Sequence, residues 1–387
     1  MISIKLKLLK PLHLAASHTV APMASTLDYI PGTAVRGALA QKYLDQPGQA
    51  EDQDFKNWFL ADEVRFSPLL PLGTSQKYAS ACEPLPLTAF KCKLYPGFKT
   101  RDAGNHGVRD MLFEFIRGHG RLPDDRCESQ GCESHLIPAD GFYAPDGGLI
   151  EIRKHLETRT AIDSQTETAA QQQLFSLEVL EEEQVFGGSI ELASIEQEQL
   201  FTQKLMREGL ELRLGAARTR GLGLAQIIQV STIASLPASQ KTLAARLTAF
   251  SEYAINDQQI ECDKRLCFVL TLVSDCVIRD EFLRFGGTIT PQVLGRYVHP
   301  ALANASLLGA FTRTRMVDGW NAAQKNPRPT EIAICAGSVF AFGIDAAAPE
   351  LAAYLQYLER DGLGERTQEG YGRLVIDHEF HKQEGQR

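Results

Sequence analysis

The sequence predicts an α+β fold made of two related halves, in which strands and helices are intermixed. One observation is a repeated glycine pattern, G-x5-G-x-G, at residues 215–223 and again 149 residues later at 364–372. A Gly-Ser pair recurs at the same spacing, at 188–189 and at 337–338, each time within a β-branched and aromatic segment. Features that match at a single offset indicate an internal duplication.

Each half opens with a predicted strand. ISIKLKLLKPLHL alternates apolar and charged residues from residue 2, and LCFVLTLVSDCVI at 266–278 is its apolar counterpart. These openings lie about 264 residues apart, whereas the glycine patterns lie 149 apart, so the first half must contain about 115 additional residues. We place this irregular insertion at about 70–165, where proline, glycine, cysteine and charged residues replace regular periodicity.

Three helices are predicted from apolar residues at helical spacing. The first follows IPG, the second connects the halves with Ser239 as its N-cap, and the third ends at Gly362 as its C-cap. Their buried faces are predicted to be Val35, Leu39 and Leu44; Leu243, Leu247, Phe250 and Tyr253; and Leu351, Leu355 and Leu358. This order predicts two ferredoxin-like (RRM-type, βαββαβ) domains in tandem, at 1–233 and 263–387, with a connecting helix within 234–262.

The composition limits the class of protein. Neither a membrane span nor a signal peptide is predicted, because lysines interrupt the apolar N-terminal segment, and we expect a cytoplasmic protein. Eight cysteines without regular spacing favour reduced thiols over a disulfide framework. The net charge of −8 lacks the basic surplus of a free-standing nucleic-acid binder, so any RNA contact must depend on local clusters of cations.

The two glycine loops are candidate phosphate-binding sites. Glycines let backbone N–H groups approach a ligand, and neighbouring arginines add cations that suit phosphate. We reject a dinucleotide fold and a P-loop, because strand patterns rather than helices follow the glycines and no G-x-x-x-x-G-K-[ST] sequence occurs. Hairpin glycines flanked by solvated arginines are the simpler alternative.

These features resemble the RAMP superfamily of CRISPR proteins. The resemblance rests on the G-x5-G-x-G loop near the end of each half, on the predicted ferredoxin-like halves and on IPGTAVRGAL at 30–39. TAFKCK, HGVRDML, a Cys pair before GFY and the segment at 313–340 further resemble the Csx-type RAMP subunit of type III-D effector complexes. The resemblance spans nearly the whole chain.

This resemblance implies a non-catalytic, RNA-binding structural subunit of a type III CRISPR effector ribonucleoprotein in antiviral defence. Such a subunit caps the 5′ handle of the CRISPR RNA and contacts the large polymerase-like subunit and the backbone subunits, while its contact with target RNA is indirect. Carried over by position, the RNA-binding residues are Arg36, Gly215, Arg218, Arg220, Gly221 and Gly223 in the first half and Arg313, Arg315, Arg366, Gly370, Tyr371 and Gly372 in the second. The second loop departs from the first because Glu365 and Glu369 make it less basic.

The insertion contains a further candidate for RNA contact. Lys91 and Lys93 are interleaved with Tyr95 and Phe98, a pattern that suits contacts to an RNA backbone together with base stacking. A solvated loop explains the same residues equally well.

The insertion also contains a candidate metal site. Cys92, His106, Cys127 and Cys132 are the ligand types that tetrahedral zinc prefers. Structural zinc would stabilise a segment that has few apolar residues of its own. Reduced cysteines without metal are the alternative, and no organic cofactor is expected.

Two other functions stay open from the sequence alone. His13, His18 and Tyr29 lie close enough along the chain to serve a metal-independent endoribonuclease that processes CRISPR RNA, although nothing in the sequence fixes their geometry. A protein-only scaffold, whose loops contact neighbouring subunits rather than RNA, is the other alternative.

Overall fold

The computed structural model describes most of the 387 residues. The described ranges are 1–16, 23–46, 52–61, 63–72, 82–99, 104–122, 126–144, 148–162, 169–232, 240–260, 262–321 and 326–382. His18 and Ser239 therefore lie outside the described residues. None of the helices in these ranges is long and apolar enough to cross a membrane.

The first half is built on one antiparallel sheet with two helices. Its elements are β1 (Ile2–Leu8), α1 (Gly32–Leu44), β2 (Arg65–Phe66), β3 (Leu70–Leu72), β4 (Val185–Glu191), α2 (Ile195–Leu205), β5 (Glu211–Arg213) and β6 (Leu224–Thr232). The strand order is β5-β6-β1-β4-β2, and β3 also pairs with β4. The edge strand β2 is only two residues long, and its Phe66 lies opposite Ile190 of β4.

The second half has an equivalent sheet. Its elements are α3 (Gln240–Glu252), β7 (Leu266–Leu272), α4 (Pro291–Tyr297), β8 (Ser306–Phe311), β9 (Val339–Ile344), α5 (Ala348–Leu355) and β10 (Leu374–Ile376). The strand order β8-β9-β7-β10 is again antiparallel. If β5 is left out and β2 and β3 are counted as one strand, both sheets have the same strand order, in which the fourth strand of the half is followed by the first, the third and the second. The chain is therefore an α+β protein whose two sheets have the same connectivity.

Burial distinguishes the two opening strands. In β1, Ile2, Ile4, Leu6 and Leu8 are at most 1% exposed, while the residues between them are half-buried, as the alternating sequence predicts. In β7 every residue is buried. One face of β7 packs in a core with α3 and α5, and the other face packs against the insertion.

The insertion occupies the chain between Leu72 and Val185, where it leaves and re-enters the first sheet. Its elements are the strands Glu83–Pro84, Ala89–Cys92, Val108–Asp110, Leu136–Pro138, Phe142–Ala144 and Gly148–Ile150, the helix Leu112–Arg117, and a hairpin of Lys154–Ile162 with Ala169–Leu180. The hairpin pairs with the short strand Met23–Ala24 of the first half.

Further short elements complete both halves. They are the helices Gln53–Phe55, Lys56–Leu60, Arg218–Arg220, Tyr253–Asp257, Pro300–Asn304, Leu358–Asp361, Thr367–Glu369 and Glu379–Lys382, and the paired strands Thr314–Val317 with Glu331–Ile334 and Trp320–Asn321 with Asn326–Pro327. The two strand pairs form a hairpin that extends from the second half between β8 and β9.

The predicted helices form with small differences. The connecting helix α3 buries Leu243, Leu247 and Phe250, as the helical spacing predicts. In α1, however, Tyr43 is fully buried and Leu44 is only partly buried. The aromatic ring extends the apolar face of the helix, and its hydroxyl reaches the carboxylate of Asp52.

One predicted equivalence is wrong. Gly188 lies within β4 opposite Ile4 of β1, whereas Gly337 lies in a turn before β9 with a φ of 84°. The Gly337 N–H donates to the Leu272 carbonyl at 2.7 Å, and its own carbonyl accepts from Leu87 of the insertion. The two Gly-Ser pairs therefore share a spacing in sequence and not a structural position.

Candidate nucleic-acid interface and metal centre

The two glycine loops have nearly the same backbone. In each, a residue in the left-handed conformation precedes one turn of 3-10 helix, and a glycine in that conformation ends the turn. The flanking residues are Ala217 and Gly221 in the first loop, with φ of 53° and 88°, and Arg366 and Gly370 in the second, with φ of 59° and 90°. The repeated pattern thus specifies one loop conformation twice.

Each loop is fixed to the segment that follows the opening strand of its own half. The Gly223 N–H donates to the Pro11 carbonyl at 2.8 Å, and the Gly372 N–H donates to the Asp275 carbonyl at 2.6 Å. Pro11 and Asp275 are 264 residues apart, the same separation as the two opening strands. The duplication is therefore visible in tertiary contacts as well as in sequence.

The first loop is open to solvent. Arg218, Arg220 and Gly221 are all exposed, and a Cβ added at Gly221 would meet no atom within 4 Å. Among the described residues the Gly221 N–H has no backbone acceptor. This loop therefore presents a free amide and two guanidinium groups, which is an arrangement that suits a phosphate.

The second loop is largely buried. The side chains of Arg366 and Glu369 are 18% and 6% exposed, and they form an ion pair at 2.5 Å. Arg366 also pairs with Glu331, and its guanidinium lies 4.5 Å from the centre of the Tyr371 ring. The Gly370 N–H donates to the Thr367 carbonyl at 3.0 Å. The groups that are free in the first loop are therefore occupied in the second.

The arginines predicted outside the loops have different surroundings. Arg36 on α1 pairs with Glu369 at 3.2 Å and donates to the Phe59 carbonyl. Arg315 pairs with the buried carboxylate of Asp275. Arg313 remains 58% exposed, with a surface ion pair of 3.3 Å to Asp140. The structure does not bring these three together with the first loop into one cluster of free cations.

The two predicted lysines lie on the insertion. Lys91 is half-buried within the strand Ala89–Cys92, and Lys93 just beyond it is exposed. The Lys93 N–H donates to the His135 carbonyl, so the backbone there is ordered by the adjoining strand. Tyr95 is 49% exposed and packs 4.4 Å from the ring of His106, beside the candidate metal site.

Two residues of the endoribonuclease alternative are bound to other parts of the chain. His13 is 4% exposed, and its Nδ1 lies 2.7 Å from the Glu178 carbonyl of the hairpin. The Tyr29 hydroxyl contacts Asp275 at 3.3 Å and also pairs with Arg315. Burial, with the nearby Asp275 carboxylate, raises the pKa of Tyr29 well above its ordinary value. His13 is thus buried, whereas Tyr29 is half-buried and held by its two charged partners.

The four predicted metal ligands come together. One ligand atom from each of Cys92, His106, Cys127 and Cys132 lies within 4.8 Å of all the others. The sulfurs of Cys92 and Cys132 are 3.9 Å apart, and His106 Nδ1 is 3.3 Å from the Cys127 sulfur. Two thiolates on one tetrahedral zinc, each at about 2.3 Å, would be about 3.8 Å apart. The donor set and its spacing therefore fit zinc.

Backbone amides support a thiolate at this site. Burial acts to raise the pKa of Cys92, but the N–H groups of Tyr95 and Leu94 oppose it, and the pKa falls to about 6. The Tyr95 N–H lies 3.5 Å from the Cys92 sulfur. Because metals bind the thiolate, this N–H···S contact favours the form that a metal requires.

Comparison with protein families identifies the chain. Residues 5–226 match the family model described as the RAMP superfamily, and residues 153–378 match the model described as CRISPR-associated protein (Cas_Cmr3). Each match covers more than half of the 387 residues. The chain belongs to the RAMP superfamily. The second match places this RAMP protein in the Cas_Cmr3 family of CRISPR-associated proteins, and the two matches together confirm the predicted type III RAMP protein. Neither match names the Csx-type subgroup that the resemblance implied.

The solved structures to which this RAMP protein is similar share little sequence with it. A chain of a type III-B Cmr-beta complex bound to cognate target RNA and AMPPnP is 14% identical, with 88% of this chain and 86% of that chain covered and a TM-score of 0.44. Pyrococcus furiosus Cmr4 (Cas7) is 12% identical, with 60% and 99% covered and a TM-score of 0.27. No curated protein matches. The family assignment rests on the two family models.

One residue at the first loop of this RAMP protein was not predicted from the sequence. Arg159, on the hairpin of the insertion, donates to the Arg220 carbonyl at 3.2 Å and is itself held by Glu157. No local pattern indicates this contact, because it joins residues 61 positions apart. Arg213, which precedes the loop, also donates to the Arg218 carbonyl.

Proposed function

We propose that this RAMP protein is a non-catalytic, RNA-binding structural subunit of a type III effector ribonucleoprotein that acts in the cytoplasm. We infer that both halves are ferredoxin-like domains of the RRM type. The subunit caps the 5′ handle of the CRISPR RNA and contacts the large polymerase-like subunit and the backbone subunits, with target RNA contacted indirectly. The segments quoted from the sequence favour subtype III-D.

The open first loop carries this proposal. A chain with a net charge of −8 has no bulk attraction for RNA, so binding needs a local cationic site. Arg218, Arg220 and the free Gly221 amide supply one, and the hydrogen bond from Arg159 holds the loop beside the hairpin. A subunit held in its assembly by protein contacts needs no more cations than these.

The test is retention of guide RNA by the purified assembly. The double variant Arg218→Ala with Arg220→Ala should lose most of the co-purifying guide, while the protein subunits stay together. The matched control, Arg207→Ala with Arg265→Ala, removes the same charge from exposed positions elsewhere and should retain the guide. If the loop variant releases a protein subunit and keeps its RNA, the scaffold alternative is correct.

The absence of catalysis is tested separately. His13 is buried against the Glu178 carbonyl and Tyr29 is held by Asp275 and Arg315, which supports a structural role for both. Incubation with a CRISPR repeat RNA in the presence of chelator should give no cleavage by the wild type. Cleavage that His13→Ala abolishes would establish the endoribonuclease instead.

We also propose that Cys92, His106, Cys127 and Cys132 hold one structural zinc ion. Three thiols and one imidazole supply all four ligands of a tetrahedral ion, which is typical of a closed structural zinc site. The ion would connect the strand Ala89–Cys92 to the turn at 127–132, where few apolar side chains are present.

Metal analysis tests the zinc site. Purified wild type should contain about one zinc per chain, since four ligands form one tetrahedral site. The variant Cys127→Ser with Cys132→Ser should contain less than half of that. Cys262→Ser changes a partly buried cysteine outside the cluster and should retain the metal. A zinc-free wild type purified without chelator would exclude the site.

A further inference from the structure

The two copies of the glycine loop carry opposite charges at one matched position. Arg220 in the first loop and Glu369 in the second are 149 residues apart, and each ends the turn immediately before its αL glycine. Arg220 is exposed, whereas Glu369 is 5% exposed. Nearly the same backbone therefore presents a cation to solvent in one half and an anion to the protein interior in the other.

Glu369 is surrounded by three arginines from three different segments. Arg366 pairs with it from within the loop at 2.5 Å. Arg328, from the hairpin between β8 and β9, pairs with it at 2.9 Å. Arg36, from α1 of the first half, pairs with it at 3.2 Å. Burial acts to raise the pKa of Glu369, but Arg366 and Arg328 outweigh it and hold that pKa below its ordinary value.

Glycines let the second loop lie directly on the first half. A Cβ added at Gly370 would be 2.8 Å from the Cδ of Pro68 and would also overlap the carbonyl oxygen of Phe66. A Cβ added at Gly32, at the start of α1, would overlap that same oxygen and lie 2.6 Å from the Glu369 carbonyl. The second loop therefore covers the short edge strand β2 of the first sheet, which leaves no room for an RNA strand between them.

Other contacts join the halves beside this loop. Arg373 pairs with the largely buried Glu191 of β4 at 3.2 Å, and Arg65 of β2 pairs with Asp361 at 3.2 Å. Each pair links a residue of the first half to one of the second. The loop and its neighbours thus form a continuous charged interface within the chain.

From this charge reversal we infer that the second glycine loop is a docking element, with Glu369 as its central residue, which binds the first half of the same chain. The RNA strand is then bound by the first loop alone. This inference rests on the proposed function for the RNA role of the first loop, whereas the docking role of the second loop does not depend on it.

Binding of a single-stranded RNA that carries the CRISPR repeat, measured at several salt concentrations with the full chain, distinguishes the loops. For single strands, each lost phosphate contact reduces the magnitude of the negative slope of log K against log salt by about 0.7. Arg218→Ala with Arg220→Ala should reduce the magnitude of that slope by about 1.4. Arg366→Ala should leave the slope unchanged and lower the unfolding midpoint. An equal loss of slope in Arg366→Ala would overturn the division between the loops.

A double-mutant cycle tests docking without RNA. Arg36→Ala and Glu369→Gln should each lower the unfolding midpoint, and the double variant should lower it by less than the sum, since both changes break one contact. Glu365→Gln, in the same loop but paired with Arg279 of its own half, is the control and should be additive with Arg36→Ala. Additive shifts for Glu369→Gln would reject the docking role. If no loop variant changes the salt dependence of RNA binding, the proposed RNA role of the first loop is rejected and the docking role is unaffected.

Discussion

At Asp377 a carboxyl group is buried directly after the last strand of the second sheet. The residue is 1% exposed and has a φ of 50°, and its Oδ1 accepts the Val269 N–H at 2.9 Å. Its other oxygen has no hydrogen-bond partner in the described part of the chain. Burial raises the pKa of Asp377 well above its ordinary value, so this carboxyl binds a proton more readily in the folded chain than in the unfolded chain.

Asp377 therefore makes stability depend on pH. A raised pKa in the folded state contributes stability that is present below the unfolded pKa of about 4 and is lost as pH rises through the folded value. Asp377→Asn keeps the acceptor and tolerates a positive φ, but it never ionises. As pH rises from the unfolded pKa to the folded pKa, we expect the unfolding free energy of the variant to increase relative to that of the wild type by up to about 1.4 kcal/mol per pH unit.

Urea unfolding at about pH 5 and at about pH 8 measures this difference. Parallel stability curves for wild type and variant would show that Asp377 does not bind a proton on folding. No sequence pattern indicates this buried carboxyl, because a single aspartate after a strand is ordinary. The clustering of Cys92, His106, Cys127 and Cys132, by contrast, was predicted from side-chain chemistry alone, since these are the ligand types that tetrahedral zinc prefers.

The glycine loop is the element that the sequence predicted best. A pattern repeated at one offset specified a conformation that both halves adopt, with glycines at positions of positive φ. The equivalence of Gly188 and Gly337 failed because a residue pair without such a backbone requirement does not determine a conformation. The lower basicity of the second loop was visible in its sequence, but its burial was not, since that depends on distant partners such as Arg36 and Arg328.

Two glycines of the first loop should differ in their tolerance of alanine. A Cβ at Gly223 would overlap the carbonyl of Leu214, so Gly223→Ala should cost about 2 kcal/mol or more of unfolding free energy. Gly221→Ala enters open space and meets only the cost of a left-handed φ, about 1 kcal/mol. Chemical unfolding of both variants measures the difference. Equal losses would contradict the close approach at Gly223.

The whole molecule is interlaced by the insertion and the C-terminal segment. Phe113 of the insertion helix packs 6.2 Å from Phe250 of α3, in a core that includes the outer face of β7. His381, near the end of the described chain, lies 2.7 Å from Asp110 of the insertion and 2.9 Å from Thr271 of β7. The unequal spacing of the opening strands and the glycine patterns predicted the existence of an insertion. It did not predict where the insertion packs on the other half, because packing across the chain leaves no local pattern.

Truncation of Phe113 tests this packing. The ring is 5% exposed, so Phe113→Ala should cost about 3–5 kcal/mol of unfolding free energy and should make the insertion sensitive to limited proteolysis. Leu94→Ala removes a side chain that is 66% exposed and should change stability by no more than about 0.5 kcal/mol. A Phe113 variant as resistant as the control would mean that the insertion does not depend on this core.

Interlacing also has a consequence for synthesis on the ribosome. The apolar side chains of Leu112–Arg117 leave the ribosome well before Leu266–Leu272, the strand against which they pack. Until that strand is made, this helix has no sheet to cover it, and an uncovered apolar surface favours aggregation. Nascent chains that stop before residue 266 should therefore be strong clients for chaperones, whereas the finished polypeptide should not.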